Sequence, residues 1–441
     1  MHSFHYRDGR LYCEDVDLTR VAKEFGTPTY VYSAGTILDH YTRLDAALAP
    51  LDHLICYAVK ANSNRAILNL LVGAGAGFDI VSAGELFRVL AAGGDPAKCT
   101  FAGVGKSGDE IEYALEQGVY SFNVESEAEL EAIERIARAK KMCAPIALRV
   151  NPDVDPHTHQ YISTGSQENK FGIALNQVRA VYERAARMSN IEIIGVQMHI
   201  GSQITEAKPF ASAIEKVAPL VRDLKSKYAI KFFSIGGGMG IIYQRALGSG
   251  SGKWWHDHGG EPSAFSVSNY AEAIVPPLRD LGIRILVEPG RFLIGNAGVL
   301  LTRVCYLKQT GSKKFAIVDA GMNDLIRPAL YQGYHEIVPC RASVSDADPS
   351  MSKSKSLEKI DIVGPVCESG DFFALGREMP EVHEGDLLAI MSAGAYGFVM
   401  ASNYNSRPLP AEALIRGDKF ALIRTRQTRE DLVRGEMDAG L

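Results

Sequence analysis

Lys60 closes the apolar run LICYAVKA (54–61). A lysine in that position can snorkel its ammonium into water. It can also sit desolvated, and burial favours the neutral amine that attacks carbonyls. Three glycines end a second run, FFSIGGG (232–238). They make either a tight turn or a loop whose N–H groups cradle a phosphate. Glu288, Gly290 and Arg291 end a third, IRILVEPGR (283–291). Glu288 can pair with Arg291, or its carboxylate can face a ring nitrogen and keep it protonated. Asp79 and Ser82 end GFDIVS (77–82), and His199 ends IIGVQMHIG (193–201). That histidine is either a satisfied core residue or a flat ring stacked on an aromatic ligand. A Schiff-base lysine, a phosphate loop and a carboxylate for a pyridine nitrogen are what pyridoxal phosphate requires.

These residues converge only if the runs are neighbouring strands. CTFAG (99–103), YSFNVES (120–126) and PIALRVN (145–151) complete a set of eight. The runs are rich in Val and Ile and lack strict alternation, as strands buried on both faces should. Helical patterns such as SEAELEAIERIARAKK (126–141) separate most of them. Eight such units over roughly 250 residues predict a (β/α)8 barrel, with chemistry at the C-terminal strand ends. A doubly wound open sheet is the alternative. After about residue 295 the runs GVLLTRVCYLKQT, KKFAIVDAG, EKIDIVGPVCES and GDLLAIMSAGAYG predict a β-rich domain. The expected class is therefore α/β plus all-β. Residues 1–33 are expected to join the β domain, 34–294 to form the barrel and 295–441 the C-terminal β domain.

The chain has 441 residues, a formal net charge of -5 and 46% hydrophobic residues. Nothing there suggests a nucleic-acid-binding face, no run of Lys and Arg forms a basic stripe, and no run is long and apolar enough for a membrane span. The N-terminus lacks the pattern of a secretory signal, and the seven dispersed Cys fit a reducing cytoplasm. His157 and His159 have metal-like spacing without an evident third ligand, so no metal is expected. GSGSGKWWHDHGGEPS (248–263) looks like a surface insertion, and SVSDADPSMSKSKS (343–356) a polar loop.

YAVKAN (57–62), HIGSQI (199–204), GGGMGI (236–241), EPGR (288–291), MNDLIRPALY (322–331), CESGDF (367–372) and GAYG (394–397) resemble the motif series of the diaminopimelate decarboxylases. These are fold-type III pyridoxal-phosphate enzymes, related to ornithine and arginine decarboxylases. The resemblance runs nearly end to end, including GTPTYVYS and NPDVDPHTHQYISTGSQENKFGI (151–173). It implies a cofactor-binding barrel with a β-sandwich-like domain, and decarboxylation of meso-diaminopimelate to lysine. It implies that Lys60 binds the cofactor as a Schiff base, that Asp79 lies at the cofactor and that His199 stacks on its ring. Ser202 and the backbone of Gly237, Gly238, Gly290 and Arg291 would hold the phosphate, and Glu288 would face the pyridine nitrogen. Arg291, Arg327 and Tyr331 would bind the distal carboxylate, and Tyr396 would lie beside cofactor and substrate. Cys367, as proton donor, and Glu368, against the distal ammonium, would come from the second subunit of a homodimer.

Three rivals share some of these residues. A decarboxylase of ornithine, lysine or arginine would meet no second carboxylate, which leaves Arg327 and Tyr331 without purpose. A racemase needs acid and base on both faces of the α-carbon. A non-catalytic relative would be expected to lack Lys60 or Cys367. The insertion around 248–260, with Trp254, Trp255, His256 and His258, is longer than the family pattern and reads as decoration.

Overall fold

The computed structural model describes residues 2–154, 170–258, 261, 265–341 and 357–440. His157, His159 and the polar loop 343–356 lie outside these residues, as does part of the segment 248–263.

The chain divides into two compact units. One comprises Leu38–Ile241 and His258–Leu293. In it the eight apolar runs form eight strands: β1 His53–Ala58, β2 Gly77–Ile80, β3 Cys99–Phe101 and β4 Ser121–Val124. β5 is Ala144–Asn151, β6 Ile191–Met198, β7 Phe232–Ser234 and β8 Arg284–Val287. All pair in parallel with their sequence neighbours. β8 pairs with β1, and β4 with β5, so the sheet closes on itself. Closure decides between the two topologies expected: this is a (β/α)8 barrel, not an open sheet.

Local sequence signals set the helices that follow the strands. Asn64, Ser82, Ser107 and Ser126 each cap a helix by accepting a backbone N–H from its first turn. Ser107 and Glu110 form a reciprocal capping box. Inside the barrel, Cys56, Ala147, Ile194, Phe232 and Leu286 pack as one cluster. Gly195 must lack a side chain there, because a Cβ would lie 2.4 Å from the Phe232 ring. Near the other end of the strands the interior turns polar, with Asp79, Gln197, Ser234 and Glu288 all buried.

The other unit comprises Met1–Ile37, Ile242–Asp257 and Ile294–Leu441. It is mostly sheet. Its longest strand, Gly298–Thr310, pairs antiparallel with Thr29–Ser33, Lys313–Val318 and Leu387–Ile390. Thr29–Ser33 also pairs in parallel with Ala411–Arg416. Leu11, Val31, Val299, Leu301, Met391 and Ile415 belong to its core. The segment around 248–258 forms a 3-10 turn and a short helix, Gly252–His258, in which Trp255 Nε1 donates to the Ser249 carbonyl at 2.8 Å.

Candidate active site

In the barrel unit the functional side chains gather at the C-terminal strand ends. Lys60 sits in a single 3-10 turn, Val59–Ala61, directly after β1. Its Nζ donates to Asp79 Oδ2 at 2.9 Å across the β1–β2 pair. Asp79 is fully buried, whereas 40% of the Lys60 side chain is exposed. The run positions Lys60, and a buried carboxylate on the next strand holds it. Asp79 Oδ1 is buried and takes no hydrogen bond among the described residues.

Glu288, just past β8, is 5% exposed. Ser234 Oγ donates to its Oε1 at 2.6 Å, and Gln197 Nε2 to its Oε2 at 3.0 Å. Ser234 and Gln197 face each other in register across β6 and β7, so one strand pair presents both donors. Burial pushes the Glu288 carboxyl above the usual carboxylate range, and the nearby Asp79 charge adds to this. Ser234, the Lys60 charge and Gln197 pull the other way.

His199 follows β6. Burial, then the charges of Arg149 and Lys60, hold its imidazole well below the ordinary histidine range, so it is neutral. Gly237 N–H donates to its Nδ1 at 3.2 Å. That bond places the ring proton on Nε2. The glycine loop is built by close backbone approach. A Cβ would lie 2.4 Å from the Met198 carbonyl at Gly236, and 2.1 Å from the Glu288 carbonyl at Gly237. At Gly238 it would lie 2.4 Å from the Gly201 carbonyl, and φ there is +109°. Gln203 clasps the loop's end: its side chain donates to the Ile241 carbonyl at 2.7 Å and accepts the Ile241 N–H at 3.2 Å. Arg291 Nη2 donates to Ser202 Oγ at 3.1 Å, which brings two expected phosphate or substrate groups together.

Several residues of this mouth carry no motif signal. Ser234 and Gln197 were readable only as polar positions inside otherwise apolar runs. Glu85 is cued by S-A-G-E (82–85), a capping pattern. It accepts the Val81 N–H at 2.8 Å, and burial pushes it up to about 7 despite the Lys60 charge. Arg149 on β5 pairs at 2.7 Å with Glu125, both buried. Glu125 also accepts N–H groups from Gly103 and Gly172, and so ties three strand ends together.

The remaining expected residues lie in the β-rich unit. Arg327 is buried at the start of a short helix, Arg327–Tyr331. Its Nη1 meets His335 Nε2 at 2.6 Å, and its guanidinium lies 4.5 Å from the Tyr243 ring centroid. Arginine can only donate, so His335 accepts at Nε2 and donates from Nδ1 to the Met391 carbonyl at 2.8 Å. Tyr396 holds a left-handed φ of +55°. Cys367 and Glu368 are exposed on a turn between two strands, Glu358–Val363 and Phe372–Met379. Among the described residues no cluster of His, Cys, Asp and Glu could hold a metal ion, and the cysteines are free.

The barrel-end residues fit a phosphorylated pyridine aldehyde. An amine sits on a turn over a buried carboxylate, and a second buried carboxylate has two donors of its own. A loop that tolerates no side chain follows the neighbouring strand β7 and packs against the Glu288 carbonyl. An unpartnered buried oxygen, Asp79 Oδ1, awaits a donor.

Residues 34–295 match the family model described as the pyridoxal-binding domain of pyridoxal-dependent decarboxylases. The diaminopimelate decarboxylase of Pseudomonas aeruginosa is 50% identical over 437 residues, 99% of each chain. Two solved structures resemble the whole chain. Diaminopimelate decarboxylase from Helicobacter pylori, complexed with L-lysine, is 39% identical with a TM-score of 0.85, covering 95% of this chain and 98% of that one. The M. jannaschii enzyme, in co-complex with L-lysine, is 34% identical with a TM-score of 0.88, covering 99% and 98%.

Proposed function

This chain belongs to the pyridoxal-dependent decarboxylases, and from that premise we propose how its residues act. The reaction is decarboxylation of meso-2,6-diaminopimelate to L-lysine and CO2, the last step of lysine biosynthesis. The observation that carries this is 50% identity to a diaminopimelate decarboxylase over 99% of both chains.

Pyridoxal phosphate, when bound, supplies an electron sink for the pair left on the α-carbon as CO2 departs. Lys60 would bind it covalently through Nζ, the nitrogen that Asp79 holds. Glu288 would face the pyridine nitrogen and keep a proton there. Its buried site suits this, because a neighbouring cation would favour the carboxylate form as Ser234, Lys60 and Gln197 already do. His199, neutral and orientated by Gly237, would stack on the ring. The phosphate falls to Ser202 and the backbone of Gly237, Gly238, Gly290 and Arg291.

Arg327, Tyr331 and Arg291 hold the distal carboxylate. A guanidinium suits this, since its planar fork pairs bidentately with carboxylate. The His335 and Tyr243 contacts already fix the Arg327 plane. Tyr396 borders cofactor and substrate. Cys367 and Glu368 act from the second subunit of a homodimer, so one chain alone makes no complete site. Glu368 pairs with the distal ammonium, and Cys367 delivers the proton that replaces CO2 on the α-carbon. Among the described residues no helix is long and apolar enough to cross a membrane, and the expected setting is the cytoplasm.

The test supplies the holoenzyme with meso-diaminopimelate, ornithine, arginine or L-lysine and measures CO2 and amine. Lysine and CO2 from diaminopimelate alone support the reading. Turnover of a simple diamino acid overturns the roles of Arg327 and Tyr331 while leaving fold and cofactor standing.

A further inference from the structure

We propose that Tyr404 and Asn405 are positioning residues for the reaction, holding Glu368 and Cys367 respectively; this rests on the roles given to those two residues above. The CESGD turn is exposed, and an exposed turn does not by itself aim a thiol and a carboxylate. Two contacts from one neighbouring loop do. The Cys367 N–H donates to Asn405 Oδ1 at 2.9 Å. The Tyr404 hydroxyl donates to Glu368 Oε1. Glu368 beside it raises the Tyr404 phenol above its ordinary range, so the phenol keeps its proton and stays the donor.

The loop bearing the two residues is itself held in an uncommon shape. Asn405 and Ser406 are consecutive left-handed residues, at φ +54° and +51°. Asparagine tolerates that region better than most side chains, and two in a row persist only where surroundings over-determine them. The conformation is what brings the Asn405 amide under Cys367.

Asp371 secures the turn from behind. Its carboxylate accepts the Val366 N–H and the Met322 N–H, each at 2.6 Å. Gly364 leaves the room, since a Cβ there would lie 2.4 Å from Asp371 Oδ2. Asp371 therefore fixes where the turn begins and ends, while Tyr404 and Asn405 set the two side chains at its tip. Glu368 needs one oxygen held so that the other meets an ammonium at a defined distance. Cys367 needs its backbone pinned so that Sγ reaches one face of the α-carbon.

The experiment compares wild-type holoenzyme with Tyr404→Phe, Glu368→Gln, their double variant, Asn405→Gly and Asn405→Asp. Readouts are KM and kcat for meso-diaminopimelate and the calorimetric Kd for L-lysine. Tyr404→Phe should raise KM and Kd roughly five- to ten-fold, the worth of a hydrogen bond to a charged group at an exposed site, with little change in kcat. In the Glu368→Gln background the same change should add almost nothing, since the charge that Tyr404 orientates towards the ammonium is gone. Asn405→Gly keeps the left-handed backbone but removes the acceptor, and should lower kcat about ten-fold with KM nearly unmoved. Asn405→Asp keeps an acceptor and should recover most of that loss. Additive effects of Tyr404→Phe and Glu368→Gln overturn the proposal. So does an Asn405→Asp enzyme as slow as the glycine variant. If Glu368→Gln itself leaves KM and Kd unchanged, the reading of Glu368 as a substrate group fails, and the proposal with it. If Glu368→Gln is impaired while Tyr404→Phe is not, only the positioning fails.

Discussion

Ser234→Ala tests whether Glu288 is a tuned group. The Ser234 hydroxyl donates to Glu288 Oε1 at 2.6 Å, and neither residue meets bulk water. Removing one oxygen from a fully buried serine leaves a small void, but it strips the carboxylate of its closer donor. A hydrogen bond to a charged group is worth about 1.5–3 kcal/mol. At about 1.4 kcal/mol per pH unit, that raises the Glu288 pKa by roughly one to two units. Ser234 also accepts the Gly236 N–H at 3.2 Å, so part of the effect falls on the glycine loop. A protonated Glu288 cannot hold a proton on the pyridine nitrogen, and activity then falls. The acid limb of the kcat–pH profile should therefore move to higher pH by about one to two units. Rates on the alkaline side should stay near wild type. Gln197→Met should act in the same direction but less, because its hydrogen bond is the longer one at 3.0 Å. The assay is CO2 release by the cofactor-saturated enzyme between pH 5 and pH 9. An acid limb that stays in place while the rate drops equally at every pH would refute the reasoning, leaving Ser234 a packing residue.

Further outcomes follow from the same geometry. Cys367→Ala should slow turnover by about two or more orders of magnitude, the usual worth of a positioned acid, while the cofactor's visible absorbance and its retention on gel filtration stay unchanged. Gly237→Ala puts a Cβ 2.1 Å from the Glu288 carbonyl; the loop must move, and cofactor retention on dialysis should fall. Arg327→Lys keeps the charge but loses the fork and the His335 contact, so KM for diaminopimelate should rise by about ten-fold or more at near-constant kcat. Asp324 is buried and pushed up to about 7, chiefly by burial. Folded protein thus keeps a proton that unfolded chain sheds near pH 4, and stability falls as pH rises from about 4 to about 7. The contribution is on the order of 3–4 kcal/mol. Urea midpoints of the apoprotein at pH 5 and pH 8 should converge in Asp324→Asn relative to wild type.

The eight strands were legible because a strand buried on both faces cannot hide its composition. LICYAVKA and IRILVEPGR read as apolar runs ended by ions, and that is how they fold. Closure of the barrel was less legible, since it depends on β4 finding β5 and β8 finding β1, and no local pattern states a neighbour. The Lys60 contact was illegible for a related reason. Its partner Asp79 lies on the next strand, and only the β1–β2 register sets the amine against it. Tyr404 and Asn405 escaped notice because their partners lie more than 35 positions away.

Two further pairs that sequence pattern did not disclose share one physical character. Arg149–Glu125 and Lys106–Glu129 are ion pairs with both members almost wholly buried. Burying two charges costs several kcal/mol per ion, and a well-packed apolar pair is often as stable. Stability alone therefore does not explain them at the end of a barrel. What they do is bind backbone. Glu125 takes the N–H groups of Gly103 and Gly172, and Lys106 donates to the carbonyls of Gly103 and Asn123. Each loop held this way leaves a strand end that flanks the mouth. Arg149 also helps keep His199 neutral. A ring proposed to stack on a protonated pyridine would do so best uncharged, because a second cation would oppose the first. The buried ions thus serve the chemistry twice, by stiffening the rim and by setting the charge of the groups it presents.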